Sequence, residues 1–127
     1  MDWLVELHSL WRWLILAAAA IIAVLAALAA FGVRPWDNLS DRFSLFFTIA
    51  LDVQVLIGAI VWVLGQAWAG DAFRGFIHPV VMLGAVAVAH VGRARSDRAT
   101  GDRAQGRAAL IFYLVSVALV LIAIPRE

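Results

Sequence analysis

Residues 13–33 read WLILAAAAIIAVLAALAAFGV, twenty-one consecutive positions without a charged or strongly polar side chain. At 1.5 Å of rise per residue, a helix of this length crosses the roughly 30 Å hydrocarbon core of a bilayer. Working outward, Phe43 to Gly70 is a second apolar stretch, interrupted only by Asp52, Gln54 and Gln66. Gly75 to Gly92 and Ala108 to Ile124 are a third and a fourth. The whole chain agrees with these windows: 65% of its 127 residues are hydrophobic, 15% are charged, and the mean hydropathy is +0.93. A soluble domain averages about 25% charged residues, and one small core cannot hide this much apolar surface. The expected fold is all-α: a single domain over residues 1–127, folded as an up-down-up-down four-helix transmembrane bundle with spans near 10–33, 43–68, 73–93 and 107–124. The short connections favour antiparallel neighbours.

The connections fix the expected orientation. Arg93, Arg95, Arg98, Arg103 and Arg107 crowd the third connection and Arg34 and Arg42 flank the first, whereas Arg12, Arg74 and Arg126 are left for the other face. The positive-inside rule then puts both termini on the outer, periplasmic side of a bacterial cytoplasmic membrane. The acidic start (Asp2, Glu6) and the length of the first apolar run argue against a cleaved signal peptide. Trp3, Trp11, Trp13 and Trp68 fall near the expected outer boundary and Trp36 near the inner one, as interfacial anchors do. Pro35 and the Asp37–Ser40 cluster predict a tight turn with an Asp or Ser helix cap. The lining of Ala and Gly in the first three spans permits close helix contacts in lipid.

Composition also excludes chemistry. Without cysteine there is no disulfide, no thiolate metal site and no covalent haem anchor. A formal net charge of +1 and arginines interspersed with Asp97 and Asp102 argue against nucleic acid as a partner. Glycines are scattered without a phosphate-binding motif. No enzyme nucleophile stands out.

Ionisable groups at membrane depth are costly and mark candidate function. His8 and Arg12 share a helical face near the start of the first span, and His78 follows Arg74 at the matching end of the third. The first and third spans run in the same direction, so the two imidazoles can meet across the bundle. One histidine from each of two helices is the axial set of a single haem b, with Arg12 and Arg74 as candidate propionate partners. Met82, on the face of His78, is a weaker candidate ligand. The stripes Met82, Ala85, Ala89 and His8, Arg12, Ile15, Ala19 offer small side chains beside a macrocycle, or ordinary helix packing. Each histidine also has a structural reading, His8 as an interfacial polar residue and His78, before Pro79, as a helix cap. His8 is expected one turn farther out than His78, unless tilt absorbs the difference. His78 and His90 are rotated too far apart to ligate one metal.

A second constellation lies towards the other end. Asp52, deep in the second span, is expected to pair with His90 or Tyr113, on a stripe with Ser44 and Thr48, while Gln54 points roughly the opposite way. The favoured reading is a polar clamp between the second, third and fourth helices; the alternative is a proton- or quinone-handling site.

The pattern His8-Ser9-Leu10-Trp11-Arg12-Trp13, Gln54-x-Leu56-Ile57-Gly58, His78-Pro79-x-x-Met82, Gly92-Arg93-x-Arg95-Ser96, Ile111-Phe112-Tyr113 and Ile122-Ala123-Ile124-Pro125 resembles small four-helix bacterial membrane proteins labelled cytochrome b-like. It runs over almost the whole chain. The resemblance implies haem b and membrane electron transfer, with His8 and His78 at the matching positions; some relatives are expected to carry a histidine where this chain has Asp52. The expected partners are the lipid bilayer, a larger membrane complex or homo-oligomer, and quinone or an outer-side redox protein. The alternatives are a cofactor-free accessory subunit of a larger complex and a proton-conducting bundle centred on Asp52.

Overall fold

The computed structural model describes residues 2–124, so Arg126 and Pro125, used above, lie outside the described residues. The chain is an all-α four-helix bundle: α1 Asp2–Ala30, α2 Asn38–Leu64, α3 His78–Arg98 and α4 Asp102–Ala123. A 3-10 turn, Ala67–Ala69, and a π-helical turn, Phe73–Ile77, join α2 to α3. All four helices are long and apolar enough to cross a membrane, the third counted from Phe73. α1 begins well before residue 10, because Asp2 and Glu6 interrupt the apolar run without interrupting helical geometry. α2 stops at Leu64 instead of 68, where Gln66 takes a left-handed backbone (φ 49°).

Cross-helix contacts set the register. Trp11 donates to the Ala50 carbonyl and Gln54 to that of His8, so α1 and α2 are antiparallel. Ser116 bonds the Ala85 carbonyl and Ser96 that of Gln105, which pairs α3 and α4 in the same sense. α4 also packs on α1, closing a ring in which α1 and α3 are parallel. One end of the bundle carries His8 and His78 and the other the arginine-rich connections.

The core is narrow. On α1 the buried face is Ile15, Ala18, Ala19, Ile22, Leu25, Ala26 and Ala29, the three-and-four spacing of one helical stripe. Large apolar side chains such as Leu56, Val80, Leu83, Ile111 and Ile122 point outward. Two glycines set how closely the helices approach. A Cβ on Gly106 would lie 2.6 Å from the Ala30 nitrogen and 2.8 Å from the Ala26 oxygen, and one on Gly92 would lie 2.4 Å from the Phe112 Cβ. Tyr113, fully buried, shares a short hydroxyl contact with Ser44 and packs edge-on against Phe47. Trp11 is not a simple interfacial anchor, because its indole N–H is used inside the bundle, whereas Trp3, Trp13 and Trp68 are exposed.

Asp37 caps α2, accepting from the Ser40 N–H at 3.1 Å and from Arg34 at 2.8 Å. Those two donors, Ser40 first, hold its carboxyl below the ordinary value. The cap is therefore complete above the ordinary carboxylate range and is lost as pH falls through the lowered value.

Gly106→Ala should destabilise the bundle by roughly 1–3 kcal/mol, because the added methyl meets backbone that cannot step aside. Gly84→Ala, whose Cβ would meet only Leu119 Cδ1 at 3.9 Å, should be neutral or stabilising by up to about 1 kcal/mol. Thermal unfolding of the two variants in detergent, followed by circular dichroism, checks the contrast.

Candidate cofactor site at the histidine end

Proline at position 79 denies the Gly75 carbonyl its usual helical donor four residues on. The local chain answers in two ways. The π turn sends the His78 N–H back to the Phe73 carbonyl, and the Trp62 indole N–H reaches over from α2 to the Gly75 carbonyl at 2.7 Å. His78 thus keeps helical angles (φ −56°, ψ −53°) despite the proline after it. A Cβ on Gly75 would meet the Ala67 oxygen at 2.6 Å, so the 3-10 turn is seated on this glycine. Asp71 accepts from the Arg74 N–H at 3.2 Å and closes the first turn of the segment. π turns of this kind recur where a side chain must be re-aimed.

The side chain that is aimed here is the His78 imidazole. Its Nδ1 lies 2.6 Å from the Ala123 carbonyl, one of the last carbonyls of α4, which have no donor within their own helix. The carbonyl can only accept, so Nδ1 carries the proton and the Nε2 lone pair is left available. That is how proteins fix the tautomer of a metal-binding histidine. It is equally a C-terminal cap for α4.

His8 stands opposite. Its ring centroid is 6.1 Å from that of His78, with the planes at 90°, so the one-turn offset in height expected from the sequence is absorbed in the packing. The ring rests on Gly58, where a Cβ would come within 3.0 Å of His8 Cε1. Two buried polar atoms here have no partner among the described residues: His8 Nδ1 and Gln54 Oε1. They belong to neighbouring side chains, since Gln54 Nε2 donates to the His8 carbonyl at 2.8 Å. One is a potential N–H donor and the other an acceptor.

A cavity of about 670 Å³ opens at this place, bordered by α1, α2, α3 and the last turn of α4. His8, Arg12, Gln54, Arg74, His78 and Met82 all line it, together with apolar walls. Arg12 lies 5.2 Å from the Trp13 ring centroid, and Arg74 is 3.8 Å from the Asp71 carboxylate with more than half of each side chain exposed. Met82 is buried in the core. The volume is that of a small-molecule or cofactor site.

The donor set discriminates between kinds of metal group. Among the described residues no three His, Cys, Asp or Glu side chains are placed to hold an ion, and a protein-only zinc site needs at least three protein ligands. A group that brings its own equatorial ligands needs only the two imidazoles, as haem does. The 6.1 Å separation of the two rings is also that of an edge-to-face pair in direct contact.

The Asp52, His90 and Tyr113 cluster separates into two. Asp52 Oδ1 meets His90 Nε2 at 2.8 Å, but on the outer surface between α2 and α3, with the side chains 46% and 50% exposed. Tyr113 is instead the buried partner of Ser44. The expected stripe fails because four residues advance a helix by about 400°, so each step drifts by about 40°. Ser44 and Thr48 remain buried, while the second step carries Asp52 off that face. Gln54, about 200° round the helix from Asp52, therefore faces the interior, where it is 5% exposed.

Gln54, Gly58, Trp62 and the Ala123 carbonyl are parts of the site that reasoning from sequence did not assign. An amide inside an apolar span was the available signal for Gln54. A backbone carbonyl leaves none. No family model matches the chain, and neither a curated protein nor a solved structure matches it.

An Asp–His pair half-exposed on a face this apolar is tolerable only while both members are present. His90→Leu and Asp52→Leu should each lower stability in liposomes, with the former, which strands a carboxylate, costing on the order of 2 kcal/mol. The double variant should regain most of the loss. A double-mutant cycle of unfolding midpoints reads this, and strictly additive losses would count against coupling.

Proposed function

We propose that this chain is a multi-pass protein of the bacterial cytoplasmic membrane that binds one haem b between His8 and His78 and serves in electron transfer. The observation that carries the reading is the meeting of two imidazoles, from parallel helices, at the mouth of a cofactor-sized cavity. The orientation rests on the arginines: seven, from Arg34 to Arg107, lie at or beside the two connections of one end, while Arg12 and Arg74 are the described ones at the other. The histidine end and both termini then face the periplasm.

Haem b held there would supply one-electron redox chemistry. The chain's own groups have separate tasks. His78 and His8 present their imidazoles to the cavity, the first with its Nδ1 on the Ala123 carbonyl and the second with its backbone carbonyl held by Gln54. Arg12 and Arg74, on the cavity lining, provide guanidinium groups for two propionates. Met82, Ile15 and Val120 line the site with apolar surface that excludes water. Quinone within the bilayer and a periplasmic redox protein are the proposed exchange partners.

A second reading has one observation in its favour. The bond from His78 to Ala123 and its edge-to-face contact with His8 link α1, α3 and α4 without any cofactor, as a cofactor-free subunit of a larger membrane complex or a homo-oligomer requires. Conduction centred on Asp52 loses its support, since that carboxylate lies on the outer surface instead of on a polar path through the bundle.

Absorption spectra of protein from haem-replete cells, oxidised and dithionite-reduced, separate the two readings. The haem reading expects a Soret band with sharp reduced α and β bands, lost in His8→Ala and in His78→Ala. His78→Asn keeps an amide donor for the Ala123 carbonyl and removes Nε2, so it should fold normally and remain colourless. Gln54→Leu should weaken haem binding by roughly tenfold, the usual effect of removing a partner of a ligating histidine. A colourless wild-type preparation would leave the cofactor-free reading, and a His78→Asn variant with unchanged haem bands would overturn His78 as the holder of the group.

A further inference from the structure

The arginine end holds a second concavity with a different chemistry. An open pocket of about 580 Å³ lies between the α1–α2 connection and the start of α4, lined by Gly32, Arg34, Thr100, Asp102, Arg103 and Arg107 among others. The lining charges are three guanidinium groups against a single carboxylate. That carboxylate is engaged, since Asp102 Oδ1 accepts from the Trp36 N–H at 3.1 Å. Arg34 is neutralised by Asp37 at 2.8 Å. Arg103 and Arg107 have no carboxylate partner among the described residues.

Their placement is not accounted for by helix capping. The Arg103 guanidinium lies over Gly32, where a Cβ would come within 2.3 Å of Nη2. Yet the carbonyls of Ala27, Leu28 and Ala29, at the end of α1, already accept from the N–H groups of residues 31–34. Arg103 is thus held at the pocket without bonding that helix end. Arg107 is one turn along the same face of α4, where two like charges repel. An anion between them removes that repulsion, and a guanidinium pair binds phosphate oxygens in parallel, two at a time.

The height of the pocket selects the kind of phosphate. Arg34 directly follows the apolar run that ends at Val33, and Arg107 directly precedes the one that starts at Ala108. In a chain that spans the bilayer, these groups lie at the level of the lipid phosphates, where basic pockets between helices take anionic headgroups. We propose that Arg103 and Arg107, with Arg34 at the rim, form a binding site for the phosphate of an anionic phospholipid such as phosphatidylglycerol. The proposal rests on the membrane-spanning reading and is independent of haem.

The test uses the full chain in neutral detergent, by native mass spectrometry and thermal unfolding, with phosphatidylglycerol, phosphatidylcholine or inorganic phosphate added. Wild type should retain one phosphatidylglycerol in preference to phosphatidylcholine and unfold several degrees higher with it. The double variant Arg103→Gln, Arg107→Gln should bind it at least about tenfold more weakly. Arg95→Gln, which alters an arginine stacked near Phe112, should bind as wild type does. Equal melting of the double variant and wild type in phosphatidylcholine shows that the fold is intact; if the double variant does not fold, Arg107→Gln alone carries the test, with a severalfold loss expected. Equal retention of both lipids, an undiminished response in the arginine variants, or full reproduction of the shift by millimolar inorganic phosphate would each overturn the proposal. A chain that fails to float with liposomes would overturn the membrane reading and this site together, whatever the spectra show.

Discussion

Every backbone amide in segments this apolar has to find its partner within its own helix, because neither lipid nor a narrow core supplies one. The rest of the structure depends on that constraint. It explains why four long helices account for nearly all of the described chain, and why the exceptions are so informative. The main one is at Pro79. Removing one N–H there frees the Gly75 carbonyl, brings in Trp62 from α2, and widens the preceding turn into a π segment. The unsatisfied end of α4 brings in the His78 ring. Two ordinary debts of helix geometry thus converge on one imidazole and fix its tautomer and direction.

The packing that closes the bundle leaves this end open. α4 lies tightly against α1 and α3, where Gly106 and Gly92 let a backbone or a ring come closer than any side chain allows. Such contacts serve in lipid, where no hydrophobic force drives helices together and close approach of small residues replaces it. α2 and α3 meet less extensively. Their seam carries the Asp52–His90 pair on its outside, and both helices border the histidine cavity. The two ends therefore differ in kind: one is apolar, with paired imidazoles and two arginines at its border, and the other is an open basic pocket. A cofactor with an apolar body and anionic edges suits the first, and a phosphate suits the second.

Much of the fold was legible in the pattern of residues. The run from Trp13 to Val33 and its three counterparts give the helices, and the Asp37 cap was readable from the Pro35–Ser40 segment. The meeting of His8 and His78 was legible only as a consequence of parallel spans, and their relative height was not. Asp52 was misplaced by treating four-residue spacing as a straight line, although a real helix drifts by about 40° at each such step. Gln54 does point away from Asp52, and it is Gln54 that faces the interior. Tyr113 was grouped by depth with His90, but depth along an axis does not fix direction around it.

Hydrophobic run length and the spacing of charge determined, from the sequence by itself, that the chain forms four helices long enough to cross a membrane, since both quantities are properties of single segments. Which polar side chains share a site was decided only in the tertiary structure. That depends on the rotation and offset of each helix against its neighbours, which the close contacts at Gly58, Gly92 and Gly106 constrain. One carbonyl at the end of α4 and one proline at the start of α3 then aim His78 at His8, and no local pattern around either histidine encodes that meeting.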